Sequence, residues 1–351
     1  METPEASRDP RSAPGAPSSL DPGGSAGPAG AVAATELRGA ARRRVPGVPP
    51  LGAEPGGRGA AAPDLAADER PSASLGHHAW RRLSRNRLAL MGLGVICVFT
   101  LMAIFAPLVA PHDPISQELS NAIQGPSFEY PMGTDNFGRD ILSRLVYGAR
   151  ISLFIGLLSQ VLAVSIGVTL GSLAGYFRGW VDSAVLWLTN VVWSFPFLLF
   201  AIALVAALGP SIRNVFIAVG LASWVGIARI VRGQFISLTE KEYVEAARAL
   251  GFSSPRIIFR HILPNSVGPI IVLVTLGFAN AIIVEAGLSF LGLGVQPPTP
   301  SWGQMIYTGY GFIVAGQGWW MAVFPGFAIL FAVLAFNLLG DGLRDALDIK
   351  L

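Results

Sequence analysis

Charge is scarce in this chain. Only 13% of its 351 residues are Asp, Glu, Lys or Arg, against 52% hydrophobic, whereas an ordinary soluble domain carries about 25% charged residues. That balance excludes an ordinary soluble enzyme and marks a membrane protein. The formal net charge of +3 does not point to nucleic acid, because 12 of the 25 Lys and Arg lie in the first 87 residues and the rest flank apolar segments. Cysteine is nearly absent. Cys97 stands alone inside an apolar run, which excludes a disulfide framework within the chain and argues against a cysteine-based metal site. Lysine is confined to Lys241, after Glu240, and Lys350, after Ile349. The Gly-Lys-Ser/Thr turn that cradles phosphates is therefore missing, and ATP hydrolysis, where needed, belongs to another polypeptide. His77, His78 and His112 have no companions at metal-ligand spacing, so no metal site is expected.

No secretory signal is expected either, since the first apolar run of suitable length begins near Leu88, beyond a long polar tail that therefore starts in the cytoplasm. Residues 1–79 are dominated by Ala, Gly, Pro, Ser and scattered charge, too poor in large apolar groups to offset the entropy of ordering. They are expected to be disordered. The cluster Arg42-Arg43-Arg44 reads as a solvated charge run within that tail.

What the chain has in abundance is long apolar runs. Six occur, at approximately 88–110, 151–176, 184–208, 212–230, 266–291 and 319–340, each near the ~20 residues that cross about 30 Å of hydrocarbon at 1.5 Å per residue. The expected fold class is an all-α membrane protein with six transmembrane helices. Its parts would be a first helix with a basic flank over 80–110, an outer loop over 111–150, a core over 151–341 and a short cytoplasmic end over 342–351. Lys and Arg concentrate on alternate loops: Arg81, Arg82, Arg85, Arg87, Arg178, Arg229, Arg232, Lys241, Arg248, Arg256, Arg260, Arg344 and Lys350 on one side, against Arg139, Arg144, Arg150 and Arg213 on the other. The positive-inside rule then puts both termini in the cytoplasm. Trp319 and Trp320 open the last run where an aromatic belt is expected, and Pro196 and Pro325 predict kinks in the third and sixth. No fixed-period repeat is visible.

The cytoplasmic loop over 231–265 has more pattern than a connector needs. Thr239 with Glu242 forms a capping-box spacing, Tyr243, Ala246, Ala247 and Leu250 recur at helical intervals, and Gly251 supplies a left-handed stop. A second start follows, with Ser254 as N-cap, Pro255 at the first helical position, and Ile257, Ile258, His261 and Ile262 as the apolar side before Pro264 intervenes. The spacing predicts two short helices around a tight turn, a rigid knuckle suited to passing motion between a soluble partner and the spans. The small side chains allow close approach, while Glu245 and Arg248 are placed to pair with rim charges.

Glu245-Ala246-Ala247, three residues, Gly251, nine residues, then His261-Ile262-Leu263-Pro264 resembles the EAA loop of the membrane subunits of bacterial ABC importers. His261 departs from the general pattern, which has Ile there, and His-Ile-Leu-Pro-Asn over 261–265 resembles the peptide-importer branch. Two other segments are similar to the same dipeptide and oligopeptide (peptide/nickel) family, specifically its C-type subunit: Arg139-Asp140-Ile141-Leu142-Ser143-Arg144 through Arg150-Ile151-Ser152-Leu153, and Leu288 through Gly303. The resemblance implies a type I importer permease fold in which Tyr243, Glu245, Ala246, Ala247, Gly251, His261, Leu263 and Pro264 couple to an ATPase. It implies a second homologous permease subunit, two ATPase subunits carrying ATP and Mg, an extracytoplasmic solute-binding protein, no cofactor on this chain, and translocation of peptides or a related solute such as glutathione or nickel.

Three features remain. Gly133 to Asp140 contains two acidic residues, Asp135 and Asp140, yet Phe137 occupies a position that a calcium loop reserves for an oxygen ligand; an interfacial helix with Ile141, Leu142, Leu145 and Val146 on one side and an Asp140–Arg144 pair on the other is expected instead. The Leu288–Gly303 loop suits either the lining of an outward vestibule or a passive connector. Glu285 is the only acidic residue within a predicted span and reads as a polar contact to a neighbouring helix or as part of the path. An ion-coupled secondary transporter would carry more such groups near the midplane, and a non-transporting scaffold would bind no ATPase.

Overall fold

In the computed structural model, residues 75–347 are described, with side chains from Ala79 onward. The expectations for residues 1–74, for the side chains of His77 and His78, and for Lys350 lie outside them. Among the described residues the secondary structure is helical, apart from one isolated bridge between Thr134 and Asp140. The helices are α1 (Leu75–Leu83), α2 (Arg87–Ile104), α3 (Ala106–Val109), α4 (Ile141–Phe177), α5 (Gly179–Trp193), α6 (Phe197–Leu208), α7 (Ile212–Thr239), α8 (Glu242–Ala249), α9 (Ser254–Ile257), α10 (Leu263–Phe290), α11 (Trp302–Val314) and α12 (Trp320–Leu347). α1 begins inside the stretch expected to be disordered.

Five helices are long and apolar enough to cross a membrane: α2, α4, α7, the continuous run Ser254–Phe290, and α12. The pair α5 and α6 is bent by 86°, a broken span or a re-entrant loop, so the crossings number five, or six where the pair is one span. Pro196 is the N-cap of α6, so the kink expected there is a full break. Pro325, expected to kink the sixth span, lies inside α12, which continues to Leu347.

Helix starts follow local capping chemistry. The Asn86 side chain accepts from the Leu88 and Ala89 amides at 3.1 and 3.2 Å, and Asp140 accepts from the Ser143 amide at 2.8 Å. That second cap explains one difference from the sequence reading. α4 begins at Ile141, ten residues before the predicted span, and at about 1.5 Å per residue its 37 residues exceed the membrane thickness. The expected interfacial helix is the first turns of α4: Ile141, Leu145 and Val146 are buried within the protein. Arg144 does not pair with Asp140 but with Asp135 at 3.6 Å, and it donates to the Pro114 carbonyl and to Gln304. Asp135 also holds Arg139 at 2.7 Å, so one buried carboxylate clamps the segment that leads into α4.

α4 and α7 pack closely because α4 presents glycine at every fourth position along the seam. A Cβ on Gly167 would sit 2.7 Å from Ile227, one on Gly171 would sit 2.5 Å from the Ala228 carbonyl, and one on Gly175 would sit 2.6 Å from Phe235. Small residues at this spacing let two backbones approach where lipid offers no hydrophobic drive to associate. The seam ends on the side of the molecule that carries α8.

Candidate coupling site

The segment from the end of α7 to the first turn of α10 holds every residue of the expected coupling set. Its first boundary differs from expectation: α7 runs on through Thr239, whose hydroxyl donates to the Ile236 carbonyl at 2.8 Å, so Thr239 and Glu242 form no capping box. Lys241 stands at the N-cap of α8 without a side-chain bond. Glu242 and Glu245 in the first turn and Arg248 in the last complement the helix dipole.

The end of α8 matches the sequence reading. Gly251 takes φ +75°, its amide donates to the Arg248 carbonyl at 2.9 Å, and the Phe252 amide reaches back to the Ala247 carbonyl at 3.1 Å. These two bonds define a Schellman turn, which satisfies helix carbonyls that would otherwise lack partners.

The two faces of α8 have different surroundings. Val244 is fully buried and Ala247 is 3% exposed; both belong to a core with Trp224, Val231, Phe235 and Ile262 from the flanking spans. Tyr243, at 41%, and Leu250, at 73%, are exposed, as are Glu245 and Ala246. The expected apolar face of Tyr243, Ala246, Ala247 and Leu250 is thus divided between an inward stripe and an outward one. Val244 was missed, although its three-residue spacing to Ala247 is a readable signal. Partial burial raises the Tyr243 phenol above its ordinary pKa, against the lowering effect of a hydrogen bond with Asn265.

Beyond the turn, Ser253 rather than Ser254 is the N-cap. Pro264 does not end the second helix, as the sequence suggested. α9 passes through a π-helical turn, Ile258–Ile262, directly into α10, where Pro264 occupies the first turn and its missing N–H costs least. His261 stacks on Phe252 at 5.8 Å, with ring planes 19° apart, and Leu263 packs against the same core. The second half of the knuckle is therefore the near end of the fifth span itself.

Polar ties fasten the neighbouring helices. Arg232 Nη2 donates to Asp182 at 2.6 Å, Arg178 pairs with Glu240 at 2.8 Å, and Arg229 donates to Asn190 at 2.7 Å while lying 3.6 Å above the Trp193 ring. Asp182 went unnoticed because the predicted span started two residues after it. α8 is thus joined to α7 by packing and to α10 through the Gly251 turn and α9.

Glu285 lies apart from this site. It is fully buried; Ser152 Oγ donates to it at 3.1 Å, Ser289 Oγ at 2.8 Å, and Ser301 hydrogen-bonds it as well. These serines come from α4, α10 and the turn before α11, so the carboxylate joins three segments. The Leu288–Gly303 stretch is packed at its two ends and at Gly294 and Val295, while Phe290 to Gly292 and Gln296 to Pro298 are exposed; Trp302 is fully buried, and its indole N–H donates to the Leu145 carbonyl at 3.0 Å. At the far side Trp320 donates to the Thr134 carbonyl at 3.0 Å, while Trp319 is half exposed.

Comparison with known proteins agrees with this architecture. Residues 167–351 match the family model described as binding-protein-dependent transport system inner membrane component, and residues 74–126 match the N-terminal TM domain of oligopeptide transport permease C. The chain is 47% identical over 284 residues to the dipeptide transport system permease protein DppC of Alkalihalophilus pseudofirmus, covering 81% of this chain and 93% of that protein. It is 45% identical over 276 residues to the glutathione transport system permease protein GsiD of Escherichia coli O6, covering 78% and 90%. Among solved structures, a chain of the inward-facing MetNI methionine ABC transporter aligns with a TM-score of 0.49 at 19% identity, covering 60% of this chain and 98% of that one. The chain belongs to the inner-membrane components of binding-protein-dependent transport systems, the permease subunits of ABC importers.

Proposed function

We propose that this subunit carries di- or oligopeptides, or a related small solute, across the cytoplasmic membrane, and that α8 with the Gly251 turn is where it receives work from a partner ATPase. The observation that carries the proposal is the division of α8: Val244 and Ala247 are sunk into the core of the spans, while Tyr243, Glu245, Ala246 and Leu250 remain outside it. A helix anchored in this way moves the spans when it is pushed. The ATPase-coupling set is Tyr243, Glu245, Ala246, Ala247, Gly251, His261, Leu263 and Pro264, with Ala247 and Leu263 acting from within. The working assembly pairs this chain with a second homologous permease, two ATPase subunits that hold ATP and Mg, and an extracytoplasmic solute-binding protein. Both termini and α8 face the cytoplasm, in keeping with the concentration of Lys and Arg there. The chain itself holds no cofactor.

The peptide assignment draws on relatives that carry dipeptides and glutathione. Reconstitution with the partner subunits tests it: uptake of a labelled tripeptide is expected to require both ATP and the binding protein. Uptake that survives ATP removal but stops when the ion gradients are collapsed would overturn the proposal in favour of an ion-coupled carrier.

A further inference from the structure

Arg150 lies on α4, toward the end of the spans opposite α8, and is exposed. Arg139 and Arg144, which precede it, both pair with Asp135. Among the described residues the Arg150 side chain has neither an ion pair nor a hydrogen bond. A cation on a membrane-spanning helix is costly unless something pairs with it, so its partner is to be sought outside the chain.

Arg150 stands at the mouth of a groove of about 390 Å³ between α2, α4, α10 and α12, whose wall includes Thr100, Ile104, Phe154, Phe278 and Phe336. The groove has a direction. α2 has 18 residues, close to the minimum that spans the hydrocarbon, so its last residue, Ile104, marks the headgroup boundary beside Arg150. At the other end Phe278 and Phe336 lie near the middle of α10 and α12 and stack with centroids 4.2 Å apart. Between these ends the lining is apolar except for Thr100, and Phe154 and Leu157 are half exposed along it.

A cation at headgroup depth over an apolar slot that stops at mid-span matches the polarity of one phospholipid, anionic at the top and hydrocarbon below. A protein partner would have to bring a carboxylate to the edge of the hydrocarbon to satisfy Arg150. A lipid phosphate already sits at that depth. We propose that this groove binds one phospholipid, with its phosphate held by Arg150, its glycerol esters beside Thr100, and an acyl chain lying along Phe154 and Leu157 down to the Phe278–Phe336 stack.

The test uses the complete transporter purified in dodecyl maltoside, so that the site competes with detergent and not with bulk lipid. The probe is phosphatidylglycerol with a diazirine on one acyl chain, and labelled residues are mapped by mass spectrometry. Label is expected on residues 153–157 and on Phe336. Arg150→Leu is expected to lower it at least about tenfold, the loss of a charge-assisted hydrogen bond, and Arg150→Lys to keep it within about threefold. Leu157→Trp narrows the slot at an exposed position, is expected to lower the labelling too, and decides the matter if Arg150→Leu does not assemble. Diacylglycerol with the same diazirine chain lacks the phosphate and is expected to label weakly. Equal labelling by diacylglycerol, or no effect of either Arg150→Leu or Leu157→Trp, overturns the assignment. So does a photoreactive benzoylphenylalanine in place of Leu157 that crosslinks to another subunit instead of to lipid, which would make the groove a protein interface.

Discussion

The Phe252 amide donates to the Ala247 carbonyl at 3.1 Å across a turn whose left-handed residue is Gly251. Ala247 is buried among the spans and Phe252 packs against the same core, so this one bond ties the end of the short helix α8 to the start of the fifth span. The proposed coupling role needs this segment to be stiff, and the bond is one of the ties that would make it so.

Replacing Gly251 by valine tests that dependence. An L residue in the left-handed region costs roughly 1–2 kcal/mol, and more for a β-branched side chain. Nothing else crowds the position, since a Cβ there would meet no atom within 4 Å. Gly251→Val is expected to abolish ATP-dependent uptake while the protein remains inserted, and Gly251→Asn, which tolerates the region better, to retain part of it. Uptake assays normalised to membrane abundance decide it; normal transport by the valine variant would sink the stiffness argument.

The two faces of α8 should fail differently. Val244→Asp buries an uncompensated charge and is expected to destabilise by more than about 3 kcal/mol, lowering the unfolding temperature in detergent and the yield. Glu245→Ala lies on the exposed face and should change stability by less than about 0.5 kcal/mol, yet weaken co-purification of the partner ATPase. If both variants behave alike, the division of the helix has no functional meaning.

Along the α4–α7 seam, a Cβ at Gly171 would lie 2.5 Å from a backbone carbonyl, whereas one at Gly233 would meet nothing within 4 Å. Gly171→Val is expected to cost about 1–3 kcal/mol through overpacking, and Gly233→Ala to be neutral or slightly stabilising, by up to about 1 kcal/mol. Thermal unfolding of the two purified variants measures the contrast.

At Glu285, leucine removes the carboxylate that accepts from the Ser152 and Ser289 hydroxyls; each oxygen still accepts a backbone N–H, but its own proton loses that partner, at up to about 1–3 kcal/mol each. Glutamine keeps one carbonyl acceptor. Glu285→Leu is therefore expected to lose clearly more thermal stability than Glu285→Gln. Equal losses would mean that charge, rather than hydrogen bonding, matters there.

The membrane fold was legible because hydrophobic length is set by bilayer thickness, and the Gly251 stop was legible because glycine suits a left-handed turn so much better than other residues. What was hidden depended on partners distant in sequence. Arg144 chose Asp135 over the nearer Asp140, Trp302 sank against Leu145, and Arg150 came to stand over a groove floored by Phe278 and Phe336. Boundaries erred for local reasons: a cap at Asp140 lengthened α4, and a π-helical turn carried the chain past the point where Pro264 was expected to stop it. The spacing placed a short helix before Gly251 but divided its faces wrongly, because Tyr243 and Val244 are both apolar enough to be buried and only tertiary packing separates them.

The most direct test of the coupling claim is a contact measurement. In a chain whose single native cysteine, Cys97, has been replaced by serine, a cysteine at Ala246 or, as a control on the outer loop, at the exposed Leu119 is labelled with a maleimide photocrosslinker in the assembled transporter. The outward face of α8 is predicted to crosslink to the ATPase subunit, with none from Leu119. Crosslinking to the ATPase from Leu119 and none from Ala246 would contradict both the coupling role of α8 and the assigned orientation of the chain.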